Sequence, residues 1–314
     1  MNERIPLLAV VGPTASGKTA LAVELALRTG GEVISADSMQ IYRGMDIGTA
    51  KPTQEEKKGV PHHMIDILDI SQSYSVAQYV KEARECIWEV HRRGRLPILA
   101  GGTGLYISSI LNHVQFTEES GDPAIRAQLQ RRLEEEGAQV LLEELRRYDP
   151  QTAARLHPNN QKRIVRAIEL YQTTGITMTE HLKRSLSEPT PYRFCAVGLC
   201  YHNRETLYRR IDARVDQMLR LGLAEEAKRV LSSPYGSTAL GAIGYKELLP
   251  WVNGACSLEQ AADRLKQSTR RYAKRQLTWF RREPWVQWIE VDKCENFDDI
   301  VKKSLHCMEV SDIL

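Results

Sequence analysis

Residues 12–19, Gly12-Pro13-Thr14-Ala15-Ser16-Gly17-Lys18-Thr19, fit the pattern G-x-x-x-x-G-K-[ST] in full. Glycines in such a loop let backbone N–H groups turn inward onto phosphate oxygens. A following helix N-terminus adds positive dipole, Lys18 adds a point charge, and the Thr19 hydroxyl is suited to ligate Mg²⁺. The chemistry implied is a bound di- or triphosphate; the loop by itself does not specify ATP. Asp37, next to Ser38 and Gln40, is a candidate general base or metal-associated carboxylate. Taken alone, a turn or N-cap aspartate would be the commoner case, but its place beside a phosphate loop favours the chemical role. Arg204, Arg209, Arg210 and Arg214 follow later; Arg204, Arg210 and Arg214, at i, i+6 and i+10, fall near one helix face that could close over a leaving phosphate or simply be solvated.

An enzyme of the kinase type also needs a hydrophobic strand ending in an acid that holds Mg²⁺. Residues 96–100 end instead in Gly101-Gly102-Thr103. Met64-Ile65-Asp66-Ile67-Leu68-Asp69 could supply the acid, although its alternation reads more as a solvated or edge strand. His62-His63 and His202 lack metal-ligand partners at usable spacing and read as turn or surface histidines.

These residues need elements to hold them. Leu7-Leu8-Ala9-Val10-Val11 is a continuous apolar run, the pattern of a strand buried on both faces, and it stops at Gly12-Pro13. Residues 19–29 carry helical spacing and end at Gly30-Gly31. Short strands are expected at 32–35, leading to Asp37, and at 96–100. Strands alternating with helices predict an α/β fold with a parallel sheet, whose ligands gather at the carboxyl ends of the strands. From about 121 to 191 the strand-like runs vanish, and Leu129, Leu133, Leu141, Leu142 and Leu145 recur at helical spacing. The organisation expected is a core from 1 to 118, a helical insertion domain from 119 to 192, and the core resumed from 193 to 314. The resumed part reads as a strand over 194–199, long helices over 206–219 and 258–280, and a last strand near 286–291.

The chain has 314 residues and a mass of 35.7 kDa, with 42% hydrophobic and 26% charged residues and a mean hydropathy of −0.40, which excludes wholesale disorder and collagen-like composition. Its longest early apolar stretch falls far short of the roughly 20 residues of a membrane span. A cytoplasmic protein without membrane contact is expected. Six scattered cysteines, with no C-x-x-C pair, read as reduced thiols. Net charge is only +3, so its distribution says more than its sum. Between positions 261 and 282 stand Arg264, Lys266, Arg270, Arg271, Lys274, Arg275, Arg281 and Arg282 against the single acid Asp263. Lys266, Arg270 and Lys274 repeat at i+4, and Leu265, Tyr272 and Trp279 at i+7, predicting cations outward on one side and an apolar seam on another. That pattern fits a helix lying along a phosphate backbone, with an ordinary solvated face as the plainer reading. Lys162-Arg163-Ile164-Val165-Arg166 forms a second cluster in the insertion.

Together these stretches resemble the bacterial tRNA dimethylallyltransferases, which prenylate the adenine next to the anticodon. The resemblance is carried by residues 12–19, by Asp37-Ser38-Met39-Gln40-Ile41-Tyr42, and by the highly specific run Gly44-Met45-Asp46-Ile47-Gly48-Thr49-Ala50-Lys51-Pro52. It continues through residues 101–106, Asp122-Pro123 with Arg126, His157-Pro158-Asn159, Arg163 with Arg166, and residues 272–281, so that it spans nearly the whole chain. It implies a P-loop NTPase-like parallel sheet core flanked by helices, used to transfer a dimethylallyl group from its diphosphate to N6 of adenine.

Carried over residue by residue, the resemblance implies that Asp37 accepts the N6 proton. Lys18, Thr19 through Mg²⁺, and Arg214 would stabilise the departing diphosphate, bound by Gly12, Pro13, Thr14, Ala15, Ser16, Gly17, Lys18 and Thr19. It implies tRNA contacts at Asp37, Ser38, Met39, Gln40, Thr103 and Arg126, and at Lys162, Arg163, Ile164, Val165 and Arg166 in the insertion, with Lys274 and Arg275 on the basic helix. Lys162 stands where the family pattern carries Gln or Arg. The partners implied are the tRNA anticodon stem-loop and dimethylallyl diphosphate, the cofactor is Mg²⁺, and the enzyme is expected to act as a monomer. A small-molecule kinase of the same fold, a free-nucleotide isopentenyltransferase and an RNA-binding switch are the competing classes.

Overall fold

The computed structural model describes residues 4–116, 122–186, 188–234 and 241–314. Strand β1 (Ile5–Val11) lies at its heart, with Leu7 to Val11 fully buried, as an all-apolar strand covered on both faces must be. Helix α1 (Lys18–Thr29) follows the phosphate loop and buries Leu21, Ala22, Val23, Leu25 and Ala26. Gly30 ends it in a left-handed conformation. Strand β2 (Glu32–Ser35), helix α2 (Gln54–Lys57), strand β3 (His62–His63), helix α3 (Val76–Arg92), strand β4 (Pro97–Gly101) and helix α4 (Gly104–Leu111) complete the first part of the core.

The second part of the core supplies strand β5 (Tyr192–Cys200), helices α10 (Arg204–Arg220), α11 (Leu223–Ser232), α12 (Tyr245–Val252) and α13 (Leu258–Phe280), strand β6 (Val286–Glu290) and helix α14 (Phe297–Val310). The six strands form one sheet in the order β3-β2-β4-β1-β5-β6, parallel at every pairing. β1 pairs with β4 on one side and β5 on the other, so the chain departs from the sheet centre in both directions. The carboxyl end of β1 is thus a topological switch point, where an open α/β sheet forms its ligand crevice.

Two details differ from the sequence reading. His62-His63 is not a surface turn but the edge strand β3, with Val33 opposite His62. His63 Nε2 lies 2.7 Å from a Glu32 carboxylate oxygen that also accepts from Arg93. Residues 64–69 are not a strand: Met64 and Asp66 adopt positive φ, and Asp66 instead pairs with Lys51. The apolar alternation there packs Met64 inward from an irregular loop.

The chain divides into two compact units, Met1–Leu111 with Pro191–Leu314, and Asn112–Thr190. The second unit is helical: α5 (Pro123–Glu135), α6 (Ala138–Tyr148), α7 (Pro150–Ala154), α8 (Gln161–Thr174) and α9 (Met178–Ser185). Asp122 caps α5 through the Ala124 N–H at 2.8 Å, with Pro123 in the first turn. Its core gathers Leu129, Leu133, Leu141, Leu142 and Leu145 with Ile164, Val165 and Ile168.

Candidate active site

The loop after β1 turns on Gly12, at φ +146°, where a Cβ would lie 2.7 Å from the Leu199 carbonyl oxygen of β5. Only glycine permits that approach. Ala15 and Gly17 are also left-handed, which curls the loop round the start of α1. Lys18 Nζ folds back onto the Pro13 carbonyl at 3.2 Å. Ser16 Oγ is buried without a protein partner, a leftover hydroxyl suited to an incoming oxygen. Arg210 Nε braces the outside of the loop by donating to the Ala15 carbonyl at 3.0 Å, while its guanidinium stacks over Tyr201.

Below the loop opens a cavity of about 420 Å³ at the carboxyl ends of the strands. Thr14, Ala15, Gly17, Lys18 and Thr19 reach it from the phosphate loop, and Asp37, Ser38, Met39 and Gln40 from the turn after β2. Arg214 of α10 and Arg275 of α13 enter from the far wall. Residues spread over more than 250 positions of sequence therefore share one space. Burial holds the Lys18 ammonium down to about 8, helped by the neighbouring Arg214 charge and opposed by Asp37. Arg214 is likewise lowered, by burial first and by Arg210, against the pull of Glu56 and Asp37. Two half-buried cations lining one cavity, each held below its ordinary pKa, are an electrostatic arrangement suited to an anion.

The Asp37 side of the cavity is a short hydrogen-bonded chain. Asp37 Oδ1 accepts the Met39 N–H at 2.9 Å, an Asx turn that fixes the carboxylate at the strand tip. The Ser38 N–H donates to Thr103 Oγ1 at 3.1 Å, so Thr103 touches the Asp37 turn without lining the cavity itself. Gln40 accepts from Ser35 Oγ and donates to the carbonyls of Thr49 and Ala50 at 3.2 Å each. Tyr272 of α13 lines the same wall, its phenol pushed up by burial and by the Asp37 charge and thus held neutral.

Two residues missed in the sequence hold these pieces together. Gln276 takes the Thr14 N–H on Oε1 at 2.8 Å and gives Nε2 to the Gly102 carbonyl at 3.0 Å. A Cβ on Gly102 would sit 2.0 Å from that amide nitrogen, which explains the glycine just after β4, and one on Gly101 at the strand end would sit 2.2 Å from the Ala36 carbonyl oxygen. Glu226, buried in the first turn of α11, accepts from the N–H groups of Asp46, Ile47 and Gly48 between 2.8 and 3.0 Å and from the Tyr245 hydroxyl at 2.7 Å. It clamps the loop whose Gly48, Thr49 and Ala50 line the cavity.

The structure also corrects the basic helix. Lys266 and Arg270 do not face outward: Lys266 pairs with Asp216 and Arg270 with Asp212, both on α10. These cations tie helix to helix. Lys274 and Arg275 remain exposed, Arg275 above the Tyr272 ring at 5.5 Å. In the second unit Lys162 and Arg163 are exposed on α8. Ile164 and Val165, read as tRNA contacts, are core residues packed among the leucines of that unit, so their side chains have no surface to offer. Arg126 and Arg166 converge on Glu169.

As for metal, Thr19, Asp37 and Glu56 all line the cavity and all offer oxygen donors. Among the described residues no cluster of three His, Cys, Asp or Glu is present. This donor set suits a hard cation held chiefly by phosphate oxygens, the usual manner of Mg²⁺.

A parallel sheet whose central strand feeds a cationic phosphate loop, facing a fixed carboxylate across one cavity, defines a P-loop transferase-type α/β protein. The family model described as IPP transferase matches residues 40–283. A tRNA dimethylallyltransferase of Bacillus velezensis is 47% identical over 98% of each chain, and one of Thermomicrobium roseum is 48% identical over 97% of this chain and 93% of its own. Among solved structures, the tRNA isopentenylpyrophosphate transferase of Bacillus halodurans superposes with a TM-score of 0.73 at 44% identity, covering 98% of each chain. A eukaryotic dimethylallyltransferase described as acting on tRNA gives a TM-score of 0.78 at 30% identity, over 91% of this chain and 73% of the other. The chain belongs to the IPP transferase family.

Proposed function

We propose that this protein transfers the dimethylallyl group of dimethylallyl diphosphate to N6 of the adenine on the 3′ side of the anticodon in tRNA, releasing diphosphate. The observation that carries the reading is one cavity lined by a phosphate loop, by two half-buried cations, Lys18 and Arg214, and by the fixed carboxylate of Asp37. Ile211, Val215, Met218, Leu223 and Leu265 give the same cavity an apolar wall, fitted to a short branched hydrocarbon rather than to a sugar or a base.

The N6 amine is a weak nucleophile because its lone pair is shared with the ring. Asp37 takes the N6 proton as the new C–N bond forms. Lys18, Arg214 and the N–H groups that open α1 receive the negative charge that develops on the diphosphate as the C–O bond breaks. Thr19 would hold Mg²⁺ together with diphosphate oxygens, and the ion would neutralise leaving-group charge. Tyr272, neutral beside Asp37, and Thr103, bonded to Ser38, keep the turn carrying the base in place. The target adenine must leave the anticodon-loop stack to reach the carbon, at a cost of a few kcal/mol. Ser38, Met39 and Gln40 are the residues beside the extruded base. Arg126, Lys162, Arg163 and Arg166 bind the anticodon arm through its phosphates, as do Lys274 and Arg275. The insertion is thus read as a tRNA-binding domain, and the enzyme as a cytoplasmic monomer.

The deciding experiment incubates the protein with unmodified tRNA, Mg²⁺ and radiolabelled dimethylallyl diphosphate, followed by nucleoside mass analysis. Label on one tRNA adenosine, absent when AMP replaces tRNA, is the expected result. Label on AMP alone would make it a free-nucleotide enzyme, and phosphoryl transfer from ATP without prenylation would make it a kinase.

A further inference from the structure

Glu169 is a fully buried carboxylate in the helical unit, and both of its partners are arginines at the surface. Its Oε2 accepts from Arg126 Nη2 and from Arg166 Nη1, each at 2.9 Å. Arg166 lies one turn earlier on α8, whereas Arg126 comes from α5, so a single oxygen draws together cations from two helices. Left alone, two guanidinium groups this close would repel and spread apart. Each spends one donor of five on Glu169, and their side chains stay 58% and 41% exposed.

We propose that Glu169 is a positioning residue that gathers Arg126 and Arg166 into one cationic fork for a tRNA phosphate. The inference rests on the tRNA-modifying reading above. Two planar guanidinium groups around one carboxylate retain a net positive charge and several outward N–H donors, the chemistry that recognises a phosphodiester. Arg163, exposed one turn before Arg166 on the same helix, continues the row along the direction a nucleic-acid backbone would follow. A purely structural ion pair would be expected to satisfy both carboxylate oxygens. Here Oε1 is buried with no partner, and the pairing is made through the one oxygen that joins the arginines. Burial works to raise the carboxyl's pKa, but the hydrogen bonds of Arg126 and Arg166 outweigh it and keep Glu169 ionised.

The test exploits opposite signs. Glu169→Gln removes a negative charge from a surface that binds a polyanion, so simple electrostatics predicts tighter tRNA binding. A positioning role predicts weaker binding, a rise in tRNA Kd of about five- to tenfold, the scale of one lost charge-assisted phosphate contact. The KM for tRNA should rise with it, while kcat at saturating tRNA and the KM for dimethylallyl diphosphate hold. Unchanged or tighter tRNA binding by a folded Glu169→Gln protein overturns the inference, as does a fall in kcat without a change in Kd. Should that variant fail to fold, an all-glutamine background decides. Adding Glu169→Gln to Arg126→Gln/Arg166→Gln must leave tRNA affinity unchanged or, through the lost negative charge, slightly raised, and a further loss would show that Glu169 does not act through the two arginines. Wild-type prenylation in the same assay reports separately on the parent reading. Wild type that modifies tRNA while Glu169→Gln binds it equally well sinks only the fork, and wild type that neither binds nor modifies tRNA sinks both.

Discussion

Gln276 Oε1 accepts the Thr14 backbone N–H at 2.8 Å, joining the phosphate loop to a helix 262 residues further along the chain. Because the same amide donates to Gly102, one side chain ties the phosphate loop to the Thr103 loop that braces the Asp37 turn. Gln276→Leu strands the buried Gly102 carbonyl at about 1–3 kcal/mol and the half-buried Thr14 N–H at less. A lower melting temperature is expected, together with a raised KM for dimethylallyl diphosphate. A melting temperature equal to that of the wild type would show that water replaces the amide.

For Asp37 the informative change is Asn, because Oδ1 also accepts the Met39 N–H and an amide oxygen can keep that turn. Asp37→Asn is expected to lower kcat by about 10²- to 10⁴-fold, the range for removing a general base. tRNA affinity, measured by filter binding, should stay nearly intact. Equal losses in binding and rate would count against the base role.

Lys18 ties diphosphate binding to pH. Its folded-state pKa of about 8 lies below its ordinary 10.5, so the free site loses this proton as pH rises past 8 while the unfolded chain still holds it. Between those values the unfolded state binds more protons, and the fold gains stability with rising pH. Diphosphate favours the charged ammonium, so its binding should take up a proton near pH 8 to 9 and weaken above that window. Calorimetry in buffers of different ionisation enthalpy measures the uptake. A buffer-independent heat with Lys18 intact would refute this linkage.

Glu226 carries four donors on one buried carboxylate. Glu226→Gln turns one oxygen into a donor that must face either the Asp46 and Ile47 N–H groups or the Gly48 N–H and the Tyr245 hydroxyl, costing about 1–3 kcal/mol for each group left unpaired. Chemical denaturation should show that loss, and Tyr245→Phe a smaller one. Matching stabilities for Glu226→Gln and wild type would mean the 46–48 loop is held by other contacts.

Salt dependence tests the α8 surface. Arg163→Ala should weaken tRNA binding and reduce the slope of log K against log salt by about one. An unchanged slope removes Arg163 from the phosphate contacts.

Local patterns in the sequence were enough for β1, the phosphate loop and α1, since a buried apolar strand, a glycine loop and a helical period are set by residues close in sequence. The span of α13, residues 258–280, followed from its own periodicity for the same reason. Which charges were free did not. Lys266 and Arg270 look like an outward stripe until α10 brings Asp216 and Asp212 against them. Ile164 and Val165 look like part of a basic cluster until the helix turns them into the core.

The three polar residues that organise the protein left one faint mark. Gln276 lies on the buried stripe between Ala273 and Phe280, Glu226 between Leu223 and Val230, and Glu169 beside Ile168 and Leu170. A polar residue on an apolar stripe must find partners inside, because burying it unpaired is costly. The sequence can signal that such partners exist, but not who they are. Thr14, Gly48 and Arg126 become the answers only when distant segments meet, and that meeting is decided by sheet order and helix packing, which no local spacing encodes.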